Sequence, residues 1–296
     1  MHRTIPAIVL ALILLSSSGL AQEIRIVNLF DAFGEEKAGV QFDWGFSAYI
    51  EYGDRVLLFD AGNNPDLLRQ NARALGIDLS RVEIAVLSHR HADHASGFDY
   101  LLKINPRVKL YLPRDAKLGV AYRFEFPAQE TEAAQSLPPS QRYFRGEKSE
   151  ILHDPGDRFW GADFEFVDRH RELVPGIHLI ATESPNRDIP ELSLALVQGG
   201  KIVLLTGCSH SKLDTIVSAA RDYSQKDIRL LMGGYHLAWE KDGYIAEIAS
   251  QLKGRLGVQQ VAPAHCTGHR AFKALKELFG DDFLLAGLGA SLEFEQ

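Results

Sequence analysis

Short apolar runs of strand length alternate with amphipathic stretches along most of the chain. Residues 24–30, 46–51 and 55–60 are apolar runs parted by glycine and charged turns, which predicts a strand-rich opening. Residues 65–75 place apolar side chains at helical spacing, with Pro65 at a first helical position and Gly76 as a stop. A strand over 82–87, a helix over about 93–103 and a strand over 108–112 follow. The second half repeats the style without repeating the sequence: strands over 192–198, 201–205, 228–231 and 258–262, and helices over 212–222, 243–256 and 270–279. This alternation predicts an α/β domain of packed layers, and no linker divides the two halves.

Residues 113–160 break the rhythm. Pro113, Pro127, Pro138, Pro139 and Pro155 punctuate a stretch holding Tyr122, Phe124, Phe126, Tyr143, Phe144, Phe159 and Trp160. Long irregular segments are uncommon in compact domains and often serve as lids or binding loops, so this reads as an insertion. Its aromatics either wall a substrate pocket or pack the insertion onto the body.

The first 21 residues change the picture of where the chain works. Arg3 gives a basic start, residues 6–15 (PAIVLALILL) are apolar, and Gly19-Leu20-Ala21 offers small residues to a signal peptidase. The apolar run is well short of the roughly 20 residues that span a bilayer. Residues 1–21 are therefore expected to be a secretory signal peptide, and residues 22–296 a single domain, periplasmic or secreted, without stable membrane insertion. A net charge of -7 argues against nonspecific nucleic-acid binding through phosphate attraction and leaves room for a local basic pocket. Two cysteines cannot make a disulfide scaffold, while eleven histidines against two methionines direct attention to sites rather than packing.

The strongest signal is Ser88-His89-Arg90-His91-Ala92-Asp93-His94, directly after the apolar run 82–87. Imidazole and carboxylate ligate zinc, manganese or iron, and a loop leaving a strand end can turn successive side chains onto one point. His89 and His91 can meet one ion, and Asp93 and His94 a second.

With this motif stand Phe46-Ser47-Ala48, Phe59-Asp60-Ala61-Gly62, Thr206-Gly207-Cys208-Ser209-His210, Gly233-Gly234-Tyr235-His236 and Pro263-Ala264-His265-Cys266-Thr267-Gly268. Together they resemble the metallo-β-lactamase superfamily, and within it the branch named for dihydropterin ribofuranosylaminobenzene phosphate synthase. The resemblance spans residues 22–296 and implies a four-layer αββα sandwich with a metal site at one edge of the sheets. It assigns His89 and His91 to a first metal, Asp93 and His94 to a second, and His265 to the last histidine of the set. Cys208 matches the position of a bridging aspartate or, in zinc β-lactamases, a cysteine ligand. A buried unligated thiol and a disulfide with Cys266 are the alternatives. Asp60 matches a carboxylate that orients a metal-bound histidine.

One element of the superfamily pattern is missing: no histidine lies roughly 20 residues before Cys208. Glu191 sits at the start of the preceding strand and is the expected replacement, while His178 has a different local context. His210 and His236 each follow a strand and a glycine, so each is a third ligand, a general acid or a hydrogen-bonded structural histidine. His153, His170, His178 and His269 read as structural or solvated.

Two divalent ions sharing a water would hold a hydroxide and polarise a carbonyl or phosphoryl oxygen, which is hydrolysis. The catalytic candidates are Asp93, to orient the water or receive its proton, and His210 or His236, to assist the leaving group. Zinc is the first choice of metal because a thiolate is soft, with manganese or iron as alternatives. Arg90 and Lys212 suit a small anionic ester or phosphoester. A transferase of the synthase type, an iron-dependent redox enzyme and a noncatalytic binding protein are the competing readings.

Overall fold

A computed structural model of the protein describes residues 22–115, 123–124, 128–146, 151–152, 162–184 and 189–295. The first half runs β1 (Ile24–Phe30), β2 (Ser47–Tyr52), β3 (Arg55–Phe59), α1 (Pro65–Ala74), β4 (Ile84–Val86), α2 (Ala92–Ala95), α3 (Phe98–Ile104) and β5 (Lys109–Pro113). The insertion contributes β6 (Arg123–Phe124), α4 (Ala128–Ala134) and β7 (Ile151–Leu152). Then come β8 (Asp163–Val167), β9 (Arg171–Val174), β10 (Ile177–Ser184), β11 (Ile189–Gln198) and β12 (Lys201–Thr206). The chain continues through α5 (Leu213–Ser224), β13 (Ile228–Gly234), α6 (Asp242–Lys253), β14 (Gln260–Ala264), α7 (His269–Phe279) and β15 (Ser291–Phe294).

One sheet has the order β15-β1-β2-β3-β4-β5-β8 and the other β14-β13-β12-β11-β10-β9. Each sheet joins antiparallel neighbours on one side to parallel strands on the other: β3, β4, β5 and β8 in the first, β12, β13 and β14 in the second. Parallel neighbours need crossovers, which α1, α3, α5 and α6 supply.

Side chains of a strand alternate between its faces, and here both faces find an apolar partner. Ile50, Leu57, Phe59, Val203, Leu205, Leu230 and Met232 meet between the two sheets. Their neighbours Tyr49, Val56 and Leu58 turn outward onto Leu68, Phe98 and Leu101 of α1 and α3. Ile202, Leu204 and Leu231 turn onto Val217, Ile248 and Leu275 of α5, α6 and α7. The result is the four-layer αββα sandwich.

The helix expected over 93–103 is two helices, α2 and α3, broken at Gly97. A Cβ on Gly97 would lie 1.9 Å from the Ala61 carbonyl oxygen, and the Gly97 N–H bonds Gly62 O at 3.1 Å. The chain turns there to let the loop after β3 approach the histidine motif. Strands β8, β9, β10 and β15 were not expected. Three of them, β8, β9 and β15, are outer strands with charged, partly exposed side chains, so the apolar signal is weak. Residues 1–21, His153, and Tyr122, Phe126, Phe159 and Trp160 of the insertion lie outside the described residues. Among the described residues no helix is long and apolar enough to cross a membrane.

Candidate metal centre

The chemistry-bearing loops leave the carboxyl ends of parallel strands, where crossover connections open a crevice. Asp60 follows β3, the segment 88–94 follows β4, Cys208 and His210 follow β12, His236 follows β13, and His265 and Cys266 follow β14. Four residues of these loops turn sharply with left-handed backbone: Asp60 (φ 57°), Ser209 (φ 66°), His236 (φ 53°) and His265 (φ 47°). Such conformations disfavour residues other than glycine and persist where the surroundings enforce them.

Two groups of donors result. His89 Nε2 and His91 Nδ1 are 2.9 Å apart, and a His210 nitrogen joins them so that all three ligand atoms lie within 4.8 Å. Beside them, His94 Nε2 is 3.2 Å from both His265 Nε2 and Cys208 Sγ. Asp93 Oδ2 lies 3.3 Å from His265 Nε2 and 3.6 Å from His94 Nε2.

These separations fit a metal. Zinc bonds of about 2.0–2.3 Å place neighbouring ligand atoms about 3.3–3.8 Å apart, close to the 3.2–3.6 Å between His94 Nε2 and its neighbours on His265, Cys208 and Asp93. Four buried donors converging this closely repel unless protons or a cation lie among them. The surroundings also aim them. Ser88 Oγ donates to Asp60 Oδ2 at 2.7 Å and so accepts from His89 Nδ1 at 2.9 Å, leaving Nε2 as the inward lone pair. His94 Nδ1 is held by Asp60 Oδ2 at 2.7 Å, which turns its Nε2 inward in the same way. Asp60 Oδ1 accepts the Ser88 N–H at 2.7 Å, so one carboxylate organises both groups.

Electrostatics distinguishes the two groups. Burial pulls His89 well below the usual imidazole range, and the nearby histidines push it further, so it stands neutral and ready to ligate. Burial also pulls His94 down, but the Asp93 and Asp60 carboxylates more than reverse this and raise it to about 9. Burial pushes the Cys208 thiol well up, and a cation is what would release its proton. The Cys208 and Cys266 sulfurs are 3.4 Å apart and both thiols are free.

His89, His91, Asp93, His94, Cys208, His210 and His265 are thus brought together, and His236 stands at their rim with its ring centroid 4.4 Å from that of His210. Glu191 does not join them. Its two carboxylate oxygens accept the N–H groups of His210 (2.9 Å) and Ser211 (2.7 Å), so it anchors the loop that presents His210. The place expected for Glu191 beside His89 and His91 is taken by His210. Burial raises the Glu191 carboxyl, in keeping with a buried group satisfied by backbone amides.

The groups floor a cavity of about 480 Å³ walled by Trp44, Ile189, Trp239 and Arg90. Arg90 is paired with Asp115 at 2.8 Å. Sequence reading missed Trp44, whose ring centroid lies 4.6 Å from that of His265, and Asp31, which accepts the His265 N–H at 3.0 Å. Burial raises Asp31 to about 8. Neither sits in a motif, although each closely follows a strand end or precedes a strand near the same edge. Of the aromatics in the insertion, Tyr143 is buried against the body rather than lining the cavity.

Comparison with known proteins agrees with this geometry. The family model described as metallo-beta-lactamase superfamily matches residues 44–186, which hold Asp60 and the whole histidine motif. An uncharacterised protein of Methanocaldococcus jannaschii is 29% identical over 243 residues, covering 79% of this chain and 88% of its own. The 7,8-dihydropterin-6-methyl-4-(beta-D-ribofuranosyl)-aminobenzene-5'-phosphate synthase of the same organism is 25% identical over 296 residues, covering 95% of this chain and 100% of its own. A crystal structure described as a metal-dependent hydrolase of the beta-lactamase superfamily superposes with a TM-score of 0.70 at 25% identity, covering 92% of this chain and 100% of that one. Sandwich, site and comparisons agree: residues 44–186 match the metallo-beta-lactamase superfamily, and the chain as a whole is similar in fold to a metal-dependent hydrolase described as a member of it.

Proposed function

We propose that the protein is a metal-dependent hydrolase of a small ester or phosphoester carrying an anionic group. The observation that carries this reading is the set of adjoining donor groups on the cavity floor: His89 with His91 and His210, Asp93 with His94 and His265, and the Cys208 thiol 3.2 Å from His94 Nε2. His89, His91 and His210 would hold one divalent ion, and Asp93, His94, His265 and Cys208 the other. The thiol favours zinc, with manganese or iron as alternatives. Ions so held lower the pKa of bound water and polarise a carbonyl or phosphoryl oxygen.

The rest of the work belongs to the chain. Asp93 Oδ2, facing the cavity floor, orients the attacking water and takes up its proton. His236, half-buried at the rim beside Trp239, is placed to protonate the leaving group, with His210 as its neighbour. Trp44, Trp239 and Ile189 exclude water from the reacting centre, and Arg90 faces the anionic group. A cavity of about 480 Å³ suits a small molecule rather than a polymer. Residues 1–21 direct the chain out of the cytoplasm on this reading, and amino-terminal sequencing of the mature protein that found Met1 in place would end that part of it.

The likeness to the synthase over 95% of this chain favours a second reading, transfer of a group to an acceptor other than water. Iron in the same donor set would instead favour redox chemistry. Plasma mass spectrometry on protein purified without chelators tests the proposal, with His91→Ala alongside. The expected result is about two zinc ions per chain, fewer in the variant, with turnover of aryl esters or phosphoesters lost. Full activity in His91→Ala overturns the hydrolase mechanism, and turnover only with an added acceptor moves the transferase forward.

A further inference from the structure

The insertion touches the metal centre without lining its cavity. Tyr143 is 3% exposed, with its ring 5.5 Å from Trp44, 5.7 Å from Phe33 and 6.0 Å from Phe272. Its hydroxyl donates to the His265 carbonyl oxygen and accepts the Gly268 N–H at 2.8 Å. One oxygen therefore ties both ends of the turn His265–Thr267. The backbone around Tyr143 is fixed in return: its own N–H bonds His269 Nε2 at 3.1 Å, and the Phe144 N–H bonds Ala32 O at 2.7 Å.

A second tie comes from α4. Glu130, fully buried, accepts the His269 N–H and the Arg270 Nε–H, the latter at 2.7 Å. Arg270 also donates to Asp242 and to the carbonyls of Ala238 and Glu240. The backbone between β14 and α7 is thus held by an acid and a hydroxyl from the insertion. The need for such holding is local: His265 has φ 47° and Gly268 φ 93°, conformations the turn would relax if released.

We infer that Tyr143 is a positioning residue of the metal centre, its hydroxyl holding the His265–Thr267 turn so that His265 Nε2 faces Asp93 and His94. This rests on the metal-binding reading above. Tyr143 acts through His265 and touches no substrate. The Glu130–Arg270 pair serves the same turn one residue further on.

The test uses the full chain with Tyr143→Phe, which keeps the ring and its packing and removes only the bridging oxygen. Zinc is titrated against a chromophoric chelator, and cobalt(II) replaces zinc for absorption spectra. The expected result is one ion bound as in the unaltered protein and the other weakened about 10- to 100-fold, with altered thiolate-to-cobalt and ligand-field bands. Leu137→Ala, which removes apolar packing from the same segment, should lower the melting temperature while leaving both affinities unchanged. Unchanged affinities and spectra in Tyr143→Phe overturn the proposal, as does an equal loss of affinity in Leu137→Ala. If Tyr143→Phe does not fold, Glu130→Gln in the same titration decides by the same criteria. A failure of the unaltered protein to bind zinc or cobalt would remove the hydrolase reading and this one together, whereas unaltered binding by Tyr143→Phe removes this one alone.

Discussion

Asp60 illustrates how one side chain can set the character of a site. It accepts from the backbone and hydroxyl of Ser88 and holds His94 Nδ1, thereby fixing which nitrogen of two different histidines faces inward. Asp60→Asn keeps the shape but offers an amide in place of a charged acceptor. It should weaken metal binding about 10- to 100-fold, read by chelator competition, while secondary structure stays unchanged. The histidine motif was legible because four donors fall within six residues after an apolar run, a local signal. Glu191, expected beside His89 and His91, lies instead on backbone amides for a nonlocal reason. A carboxylate at the start of β11 satisfies its oxygens on amides 19 and 20 residues away, and that folding of one loop over another strand leaves no trace in spacing. The two thiols make a further demand at this scale. With sulfurs 3.4 Å apart and both residues bordering the cavity, peroxide should convert them to a disulfide with release of two waters. Intact mass should fall by about 2 Da and recover with a reductant, and bound zinc should fall by about one ion per chain. A stable mass under peroxide would refute this.

Between elements, the close approaches decide what sequence reading could and could not see. Central strands such as β3, β4, β12 and β13 are buried on both faces, so their composition is continuously apolar and their positions were legible. The outer strands β8, β9 and β15 pair on one side only and carry charges that hide them. The break between α2 and α3 is a tertiary constraint, since Gly97 reads locally as a weak helix former and nothing more. Gly97→Ala should destabilise the fold by about 1–3 kcal/mol in chemical denaturation, because the added methyl would meet a backbone oxygen that cannot rotate away. Gly234 on β13 has a similar part between β12 and β14. A Cβ there would fall 2.2 Å from Gly207 O and 2.8 Å from Cys266 Sγ. With no side chain between them, loops from two strands that are not neighbours meet over the middle one.

At the scale of the whole molecule, the metal-free protein should respond to pH through the groups gathered at this edge. His94, with a folded pKa of about 9 against the usual 6.5, and Asp31, at about 8 against 3.8, both bind protons more tightly in the folded chain. Their contribution to stability is complete below the unfolded values and is lost as pH rises through the folded ones. The melting temperature in chelator should therefore fall between pH 6.5 and 9, whereas zinc, by replacing the proton on His94, should flatten that decline and raise the melting temperature throughout. A chelated protein whose stability rises over this interval would contradict the assignment. The last consequence concerns time. His94 and His265 meet across 171 positions, one from each half of the sandwich. Until both sheets have closed on each other, a growing or refolding chain offers an ion only fragments of its binding set. Loading of an ion would thus follow the closing of both sheets, and a tightly held ion would mark a finished molecule.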